Sequence, residues 1–83
     1  MWEKGTLSIP VVGNAPTVFR YAVKRYDNPS EYGINGGRVS KLEIWTDDEC
    51  RSRVRYERGW DIYPASDDEA ANAALSMLLE RFN

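Results

Sequence analysis

The sequence predicts an α+β fold, in which a four-stranded antiparallel β-meander packs one face against a single C-terminal α-helix. Three observations lead to this prediction. Apolar and polar residues alternate in four segments, which is the period of a β-strand. Glycine, proline, asparagine and aspartate residues, which favour turns, separate those segments. The C-terminal segment instead repeats its apolar residues at the spacing of a helix.

The first three predicted strands show the alternation in different degrees. Their predicted boundaries are residues 2–9, 17–26 and 38–46. The second strand alternates most clearly, because Phe19, Tyr21 and Val23 share one face while basic or small residues lie between them. In the third strand Leu42 and Ile44 fall on the inward face. These apolar residues are therefore expected in the core.

The fourth strand begins near Ser52, and its pattern is interrupted once. The residues predicted to point inward are Val54, Tyr56, Trp60 and Ile62. Arg58 falls in the inward phase and is followed by Gly59. Because a glycine within a strand often marks an irregularity, we expect a bulge or a break there.

The helix is predicted from Asp67 to Phe82. Ser66 followed three residues later by Glu69 has the form of a capping box, in which the serine hydroxyl accepts a hydrogen bond from the Glu69 amide. The apolar stripe consists of Ala71, Leu75, Leu78 and Phe82. This stripe needs an apolar partner, and one face of the sheet supplies it.

The composition indicates one folded domain spanning residues 1–83. The chain is 42% hydrophobic and 12% aromatic, which supports a core without disulfides or a structural metal. A single cysteine, Cys50, cannot form an internal disulfide and favours a reducing, cytoplasmic setting. The first ten residues do not resemble a signal peptide, and no apolar stretch is long enough to cross a bilayer.

The residue types give little support for catalysis. The chain has no histidine, which removes the commonest general base and metal ligand. The acidic clusters at 47–49 and 67–69 are explained by a solvated turn and a helix start, because neither has the spacing of a calcium loop. We therefore expect a protein that is not an enzyme, with no catalytic residues, no metal site and no cofactor.

The face of the predicted sheet that points away from the helix is basic and partly aromatic. Its residues include Arg20, Lys24, Lys41, Arg53 and Arg55, together with Trp45 and Tyr26, and Trp2 is a further candidate. Basic side chains between aromatic ones are typical of single-stranded nucleic acid binders. The simpler interpretation is a solvated face, because Glu43 and Glu57 can form ion pairs with the basic side chains of Arg55 and Lys41 on neighbouring strands. A net charge of −2 also argues against a protein that coats duplex DNA.

The stretch "EYGINGGRVSKLEIW" suggests a phosphate-binding glycine loop at first sight. Such a loop leads into a helix, whereas this one leads into a strand. Asn35 and Gly36 instead predict a turn with positive φ. The loop is longer than a hairpin needs, so its Tyr32 and Ile34 either fold back over the core or contact a partner. The candidate partner-binding residues are Tyr32, Ile34, Arg38 and Trp45.

The segments "YGINGGRVSKLEIW" and "RGWDIYP", with the short closing helix, resemble a group of small uncharacterised proteins of gut bacteria and their phages or mobile elements. That group has no known activity, so the resemblance carries over no site. It implies a mobile-element setting, where small acidic proteins often bind and block a host defence protein, as anti-CRISPR proteins do.

We therefore expect a non-enzymatic protein-binding module, with inhibition of a host defence protein suggested by analogy. Single-stranded nucleic acid binding is the alternative. Self-association through a free edge of the sheet is a third interpretation, and the oligomeric state stays open. No membrane partner is expected.

Overall fold

Five antiparallel strands form a meander in which each strand pairs with the next along the chain. In the computed structural model, which describes residues 1–83, the strands are β1 Trp2–Val11, β2 Asn14–Arg25, β3 Val39–Trp45, β4 Val54–Glu57 and β5 Trp60–Ile62. One helix, α1 Glu69–Phe82, follows the sheet. The α+β class, the antiparallel meander and the C-terminal helix are confirmed, and the sheet has five strands where four were predicted.

The additional strand arises at the predicted irregularity. Arg58 adopts a left-handed conformation with φ of 59°, and the chain reverses over Arg58 and Gly59. The Arg58 amide donates to the carbonyl of Ser40, and the Glu57 amide donates to the carbonyl of Gly59. The prediction of a single fourth strand was therefore wrong. The break is a complete turn, after which the chain returns antiparallel and Trp60 pairs with Tyr56.

The core lies between the sheet and α1, which contacts β1, β2 and β3. Phe19, Val23 and Ile44 have no exposed surface, and Leu78 of the helix is 1% exposed. The predicted alternation of β2 and β3 is confirmed by these values. Because α1 does not extend over the far end of the sheet, Trp60 is 40% exposed although its partner Tyr56 is buried. The inward position predicted for Trp60 is thus confirmed only in part, because Trp60 pairs with a buried residue but stays exposed itself.

The helix begins two residues later than the sequence predicted. Asp68 is the N-cap, and its side chain accepts a hydrogen bond from the amide of Ala71 at 3.1 Å. The predicted capping box from Ser66 does not form. Asp68 and not Ser66 occupies the N-cap position because the Asp68 carboxylate is also stabilised by the Arg53 guanidinium, 3.4 Å away. The cap therefore ties the helix start to the segment that enters β4. With 14 residues, α1 lacks the length and apolarity of a membrane span.

The long β2–β3 loop is held closed by the end of the chain. The Asn83 side chain donates to the carbonyl of Ile34 at 3.0 Å and accepts from the amide of Val39 at 3.0 Å. A short 3-10 turn, Ile34–Gly36, forms the centre of the loop. Asn35 and Gly36 have φ of 53° and 71°, which confirms the predicted turn.

The β3–β4 connection holds two carboxylates whose pKa values are lowered. The Thr46 hydroxyl donates to Glu49 at 2.7 Å, and the Arg53 guanidinium donates to Glu49 at 2.8 Å. Both interactions, the first more strongly, hold the pKa of Glu49 below its ordinary value. The Thr46 side chain and a backbone hydrogen bond likewise lower the pKa of Asp48. Because these values are lower in the folded state, the stability that they contribute is present above the ordinary carboxyl pKa and is lost on acidification.

Replacing Thr46 with valine is therefore expected to reduce the acid sensitivity of the fold. The stability difference between the native chain and Thr46→Val should be largest near neutral pH and shrink below about pH 4. Thermal unfolding followed by circular dichroism from pH 2 to 7 measures it, with Thr17→Val as the matched control. Parallel curves for the native chain and Thr46→Val would contradict the expectation.

Candidate functional site

One face of the sheet carries no covering element, because α1 packs on the other face. We call it the open face, and by strand register it comprises Trp2, Lys4, Thr6, Ser8, Val18, Arg20, Ala22, Lys24, Lys41, Glu43, Trp45, Arg55 and Glu57. The central row across the strands is Lys4, Ala22, Glu43 and Arg55. Ala22 is the smallest side chain on the face and lies on a central strand. The open face is therefore lowest at its middle.

A shallow groove of about 480 Å³ surrounds Ala22. Trp2 and Trp45 both line it, and the register places them diagonally on opposite sides of Ala22. Trp2 is 50% exposed and Trp45 is half-buried. The predicted outward position of Trp45 is thus observed, and Trp2, a further candidate for this face, lines the same groove. Two indole rings and a small central residue give the groove an apolar part, and charged side chains, among them Lys4, Glu43 and Arg55, line the rest.

Most of the cations on the open face are paired with carboxylates. Lys41 lies 3.4 Å from Glu57, and Arg55 lies 3.5 Å from Glu57 and 3.7 Å from Asp61. Arg20 donates to Asp47 at 2.5 Å, which raises the pKa of Arg20 above its ordinary value. These pairs are exposed and contribute little stability. They do place negative charge beside three of the cations predicted to contact phosphates.

Two lysines at the β1 side of the groove have no carboxylate within 4.0 Å. They are Lys4 and Lys24. The Lys24 ammonium lies 5.9 Å from the ring centre of Trp2 and 5.7 Å from that of Tyr26, so it makes cation–π contacts instead. The open face therefore carries unbalanced positive charge near β1, and Lys4 brings part of it to the groove.

Arg53 does not belong to the open face, where the sequence analysis placed it. Its guanidinium contacts Glu49 and Asp68 and lies 5.2 Å from the ring centre of Phe19. Phe19 is in the core, so Arg53 covers the helix side of the sheet. The prediction failed because Arg53 precedes the first residue of β4, and the alternation of strand faces does not extend to it.

The loop candidates take up different positions. Ile34 is 1% exposed and belongs to the core, which excludes it from a contact surface of the folded chain. Tyr32 is 49% exposed, with the Arg58 guanidinium 4.8 Å from its ring centre. Arg38 is half-buried. Since Arg38 and Trp45 flank opposite ends of β3, the four candidates do not form one patch.

An aromatic cluster at the β5 edge was missed. The ring centres of Tyr56 and Trp60 are 4.9 Å apart, and those of Trp60 and Tyr63 are 4.8 Å apart. Tyr63 is 64% exposed. The close spacing of Trp60 and Tyr63 after Gly59 could have indicated this cluster, had the turn at Arg58 been recognised.

The structure shows no group of three His, Cys, Asp or Glu side chains in a metal-binding arrangement, and Cys50 is exposed. The fold and the open face define a small α+β protein whose sheet has one face covered by a helix and the other accessible. A family model for a domain of unknown function, DUF7678, matches residues 1–83, and the chain belongs to this family. Comparison of the chain with curated proteins and with solved structures finds no match.

Proposed function

We propose that this chain is a non-enzymatic protein-binding module that contacts its partner through the open face. The observation that carries the proposal is the groove at Ala22, with Trp2 and Trp45 on its two sides. Tryptophan is among the residues that most often dominate the energy of protein interfaces. An apolar centre surrounded by charged and polar side chains is also the usual anatomy of such an interface.

The distribution of charge favours a protein partner over a nucleic acid. A strand of nucleic acid is attracted by unbalanced positive charge along its path. On the open face, Arg20, Lys41 and Arg55 have carboxylate partners. Arg53 lies on the helix side, which leaves Lys24 as the one unpaired cation of the original set. Paired charges suit a protein surface, which presents both signs.

The proposed mode of action is occupation of a partner's surface. The resemblance to proteins of phages and mobile elements makes a host defence protein the proposed target, and the cytoplasm the proposed place of binding. Blocking by occupation requires no catalytic group, only an interface that competes with the target's own ligand.

Replacing Trp45 with alanine is expected to weaken partner binding by about tenfold or more, because a tryptophan at the centre of an interface commonly contributes about 2 kcal/mol or more. Ala22→Arg, which fills the groove, should have a similar effect. Quantitative capture of bacterial host proteins on the immobilised chain measures both. Met77→Ala is the matched control, since Met77 is exposed on the helix and lies away from the open face.

Circular dichroism first verifies that each variant is folded. Loss of binding in Met77→Ala but not in Trp45→Ala would contradict the proposal. Binding of labelled oligonucleotides that is lost on Lys24→Glu, and that falls steeply between about 50 and 200 mM salt, would instead support the nucleic acid alternative.

A further inference from the structure

Strand β1 is a long edge strand whose outer side has no partner. It has ten residues and pairs with β2 alone. An edge of this length presents a row of backbone N–H and C=O groups that another strand can use. By comparison, β5 at the opposite edge has three residues. If another chain adds a strand to this sheet, β1 is the edge with room for it.

The hydrogen-bonding register identifies the free groups. Met1 and Arg25 exchange both backbone hydrogen bonds, at 3.0 and 3.1 Å, and are therefore a hydrogen-bonded pair. Hydrogen-bonded pairs alternate along an antiparallel ladder, so Glu3, Gly5 and Leu7 also bond to β2. The backbone groups of the intervening residues point to the free edge. These residues are Trp2, Lys4, Thr6 and Ser8.

The free edge has a defined end. Pro10 would be the next residue to direct an N–H outward, and proline has none. The β1–β2 register also shifts between Ile9 and Val11. Both features are common ways of ending pairing at an edge. The usable segment is therefore Trp2–Ser8, about 20 Å of strand.

The side chains along this segment indicate the charge of the added strand. Lys4 is exposed, has no carboxylate within 4.0 Å and lies on the open face beside the groove. Lys24, in the neighbouring row, is also without a carboxylate. Glu3, on the helix side, is already paired with Arg25 at 3.1 Å. A strand that places a carboxylate opposite Lys4 would balance the unpaired charge.

A second copy of this chain fits the edge less well. The open-face residues of β1 are Trp2, Lys4, Thr6 and Ser8, which include no acid. A β1–β1 pair therefore offers no carboxylate to Lys4 in any register. Where the two Lys4 residues face each other, the pairing is repulsive.

We propose that β1 captures an extended, acidic segment of a partner protein, which adds as a sixth strand along Trp2–Ser8 with a carboxylate opposite Lys4. This inference rests on the proposed function and specifies the partner's chemistry: main-chain hydrogen bonds supply affinity, and the lysines and Trp2 supply selectivity. The added strand would border the Ala22 groove, so one partner could occupy both.

A synthetic ten-residue peptide that alternates valine and glutamate is the probe, and the same peptide with lysine in place of glutamate is its control. Fluorescence anisotropy with the full chain at low salt measures binding. The glutamate peptide is expected to bind at least about fivefold more tightly than the lysine peptide. Lys4→Glu should remove or invert that preference.

Thr6→Pro tests the backbone part of the inference. It deletes an outward N–H and leaves the bonds to β2 intact, so the glutamate peptide should bind about tenfold or more weakly. Thr6→Val, which keeps the N–H, should bind within about twofold of the native chain. If Thr6→Pro does not fold, the Lys4→Glu comparison decides alone.

Equal binding of the two peptides, no binding of the glutamate peptide, or unchanged binding by Thr6→Pro would overturn the inference. A stable dimer in sedimentation that Thr6→Pro dissociates would also overturn it, because a second copy would then be the occupant. Trp45→Ala acts on the groove and not on the edge. If the peptide experiments fail but Trp45→Ala still abolishes capture of the partner, the inference about β1 is wrong and the proposed function stands.

Discussion

Replacing Ile34 with alanine is expected to lower the free energy of unfolding by about 2–5 kcal/mol, although Ile34 lies in a loop. Its side chain is 1% exposed and belongs to the core cluster between the sheet and α1. Truncation removes buried apolar surface and leaves a cavity that the closed loop cannot readily fill. Each kcal/mol should lower the melting temperature by about 4–8 °C in a domain of this size. Chemical denaturation followed by tryptophan fluorescence measures the loss.

Tyr32→Ala is the control, because Tyr32 lies two residues away and is 49% exposed. Its backbone carbonyl, which accepts from the Tyr56 hydroxyl, is retained. We expect a change of about 1 kcal/mol or less. Equal losses for Ile34→Ala and Tyr32→Ala would show that the loop is not anchored through Ile34.

Replacing Gly33 with alanine is expected to cost about 2–4 kcal/mol. A Cβ atom at Gly33 would collide with the backbone carbonyl of Gly37, including its carbon at 2.7 Å. This carbonyl accepts from the amide of Ser30, and the Gly33 carbonyl accepts from the amide of Gly36. The loop must open to admit the methyl group, which strains both bonds and displaces the neighbouring Ile34.

Gly59→Ala is the matched control for Gly33→Ala. A Cβ atom at Gly59 meets nothing within 4 Å, and the residue lies outside the left-handed region. A change within about 0.5 kcal/mol is expected. Thermal melts of the two variants under the same conditions make the comparison. A Gly33→Ala variant as stable as Gly59→Ala would mean that the loop accommodates the methyl group at no cost.

The strand alternation and the helical stripe predicted most of the fold. In β2 the inward residues Phe19, Tyr21 and Val23 were identified, and in β3 Leu42 and Ile44 were, because buried and less buried residues alternate there. Val39 and Ser40 at the start of β3 are both buried, so the alternation does not extend to them. The apolar residues of α1 were identified for the same reason. The buried face of a strand or helix follows from the spacing of apolar residues along the chain, so a single sequence is sufficient to predict it.

Features that depend on distant partners could not be predicted in this way. Asp68, and not Ser66, caps the helix because Arg53 lies beside it in the fold. Ile34 folds inward while Tyr32 stays exposed because Asn83 closes the loop from the other end of the chain. The turn at Arg58 lacked the usual Asn-Gly or Gly signal at its left-handed position.

The candidate site was predicted in part. The outward position of Trp45 followed from strand parity, and the structure places it on the groove. Trp2 joins the same groove only through the pairing of β1 with β2, which periodicity does not reveal. Asp47, which pairs with Arg20, comes from a turn, and Asp61, one of the two carboxylates near Arg55, comes from β5, so these two pairs required the fold. The pairing of Glu57 with a basic residue across strands was predicted and is observed with Lys41.

The central claim is that the open face is the surface that binds a partner protein. Photo-crosslinking tests it most directly, with a photoreactive amino acid at position 45 on the open face or at position 77 on the outside of α1. In bacterial host cells, the chain labelled at position 45 should form a discrete, heavier crosslinked species, and the chain labelled at position 77 should not. A crosslinked species from position 77 alone, or none from position 45, would contradict the claim.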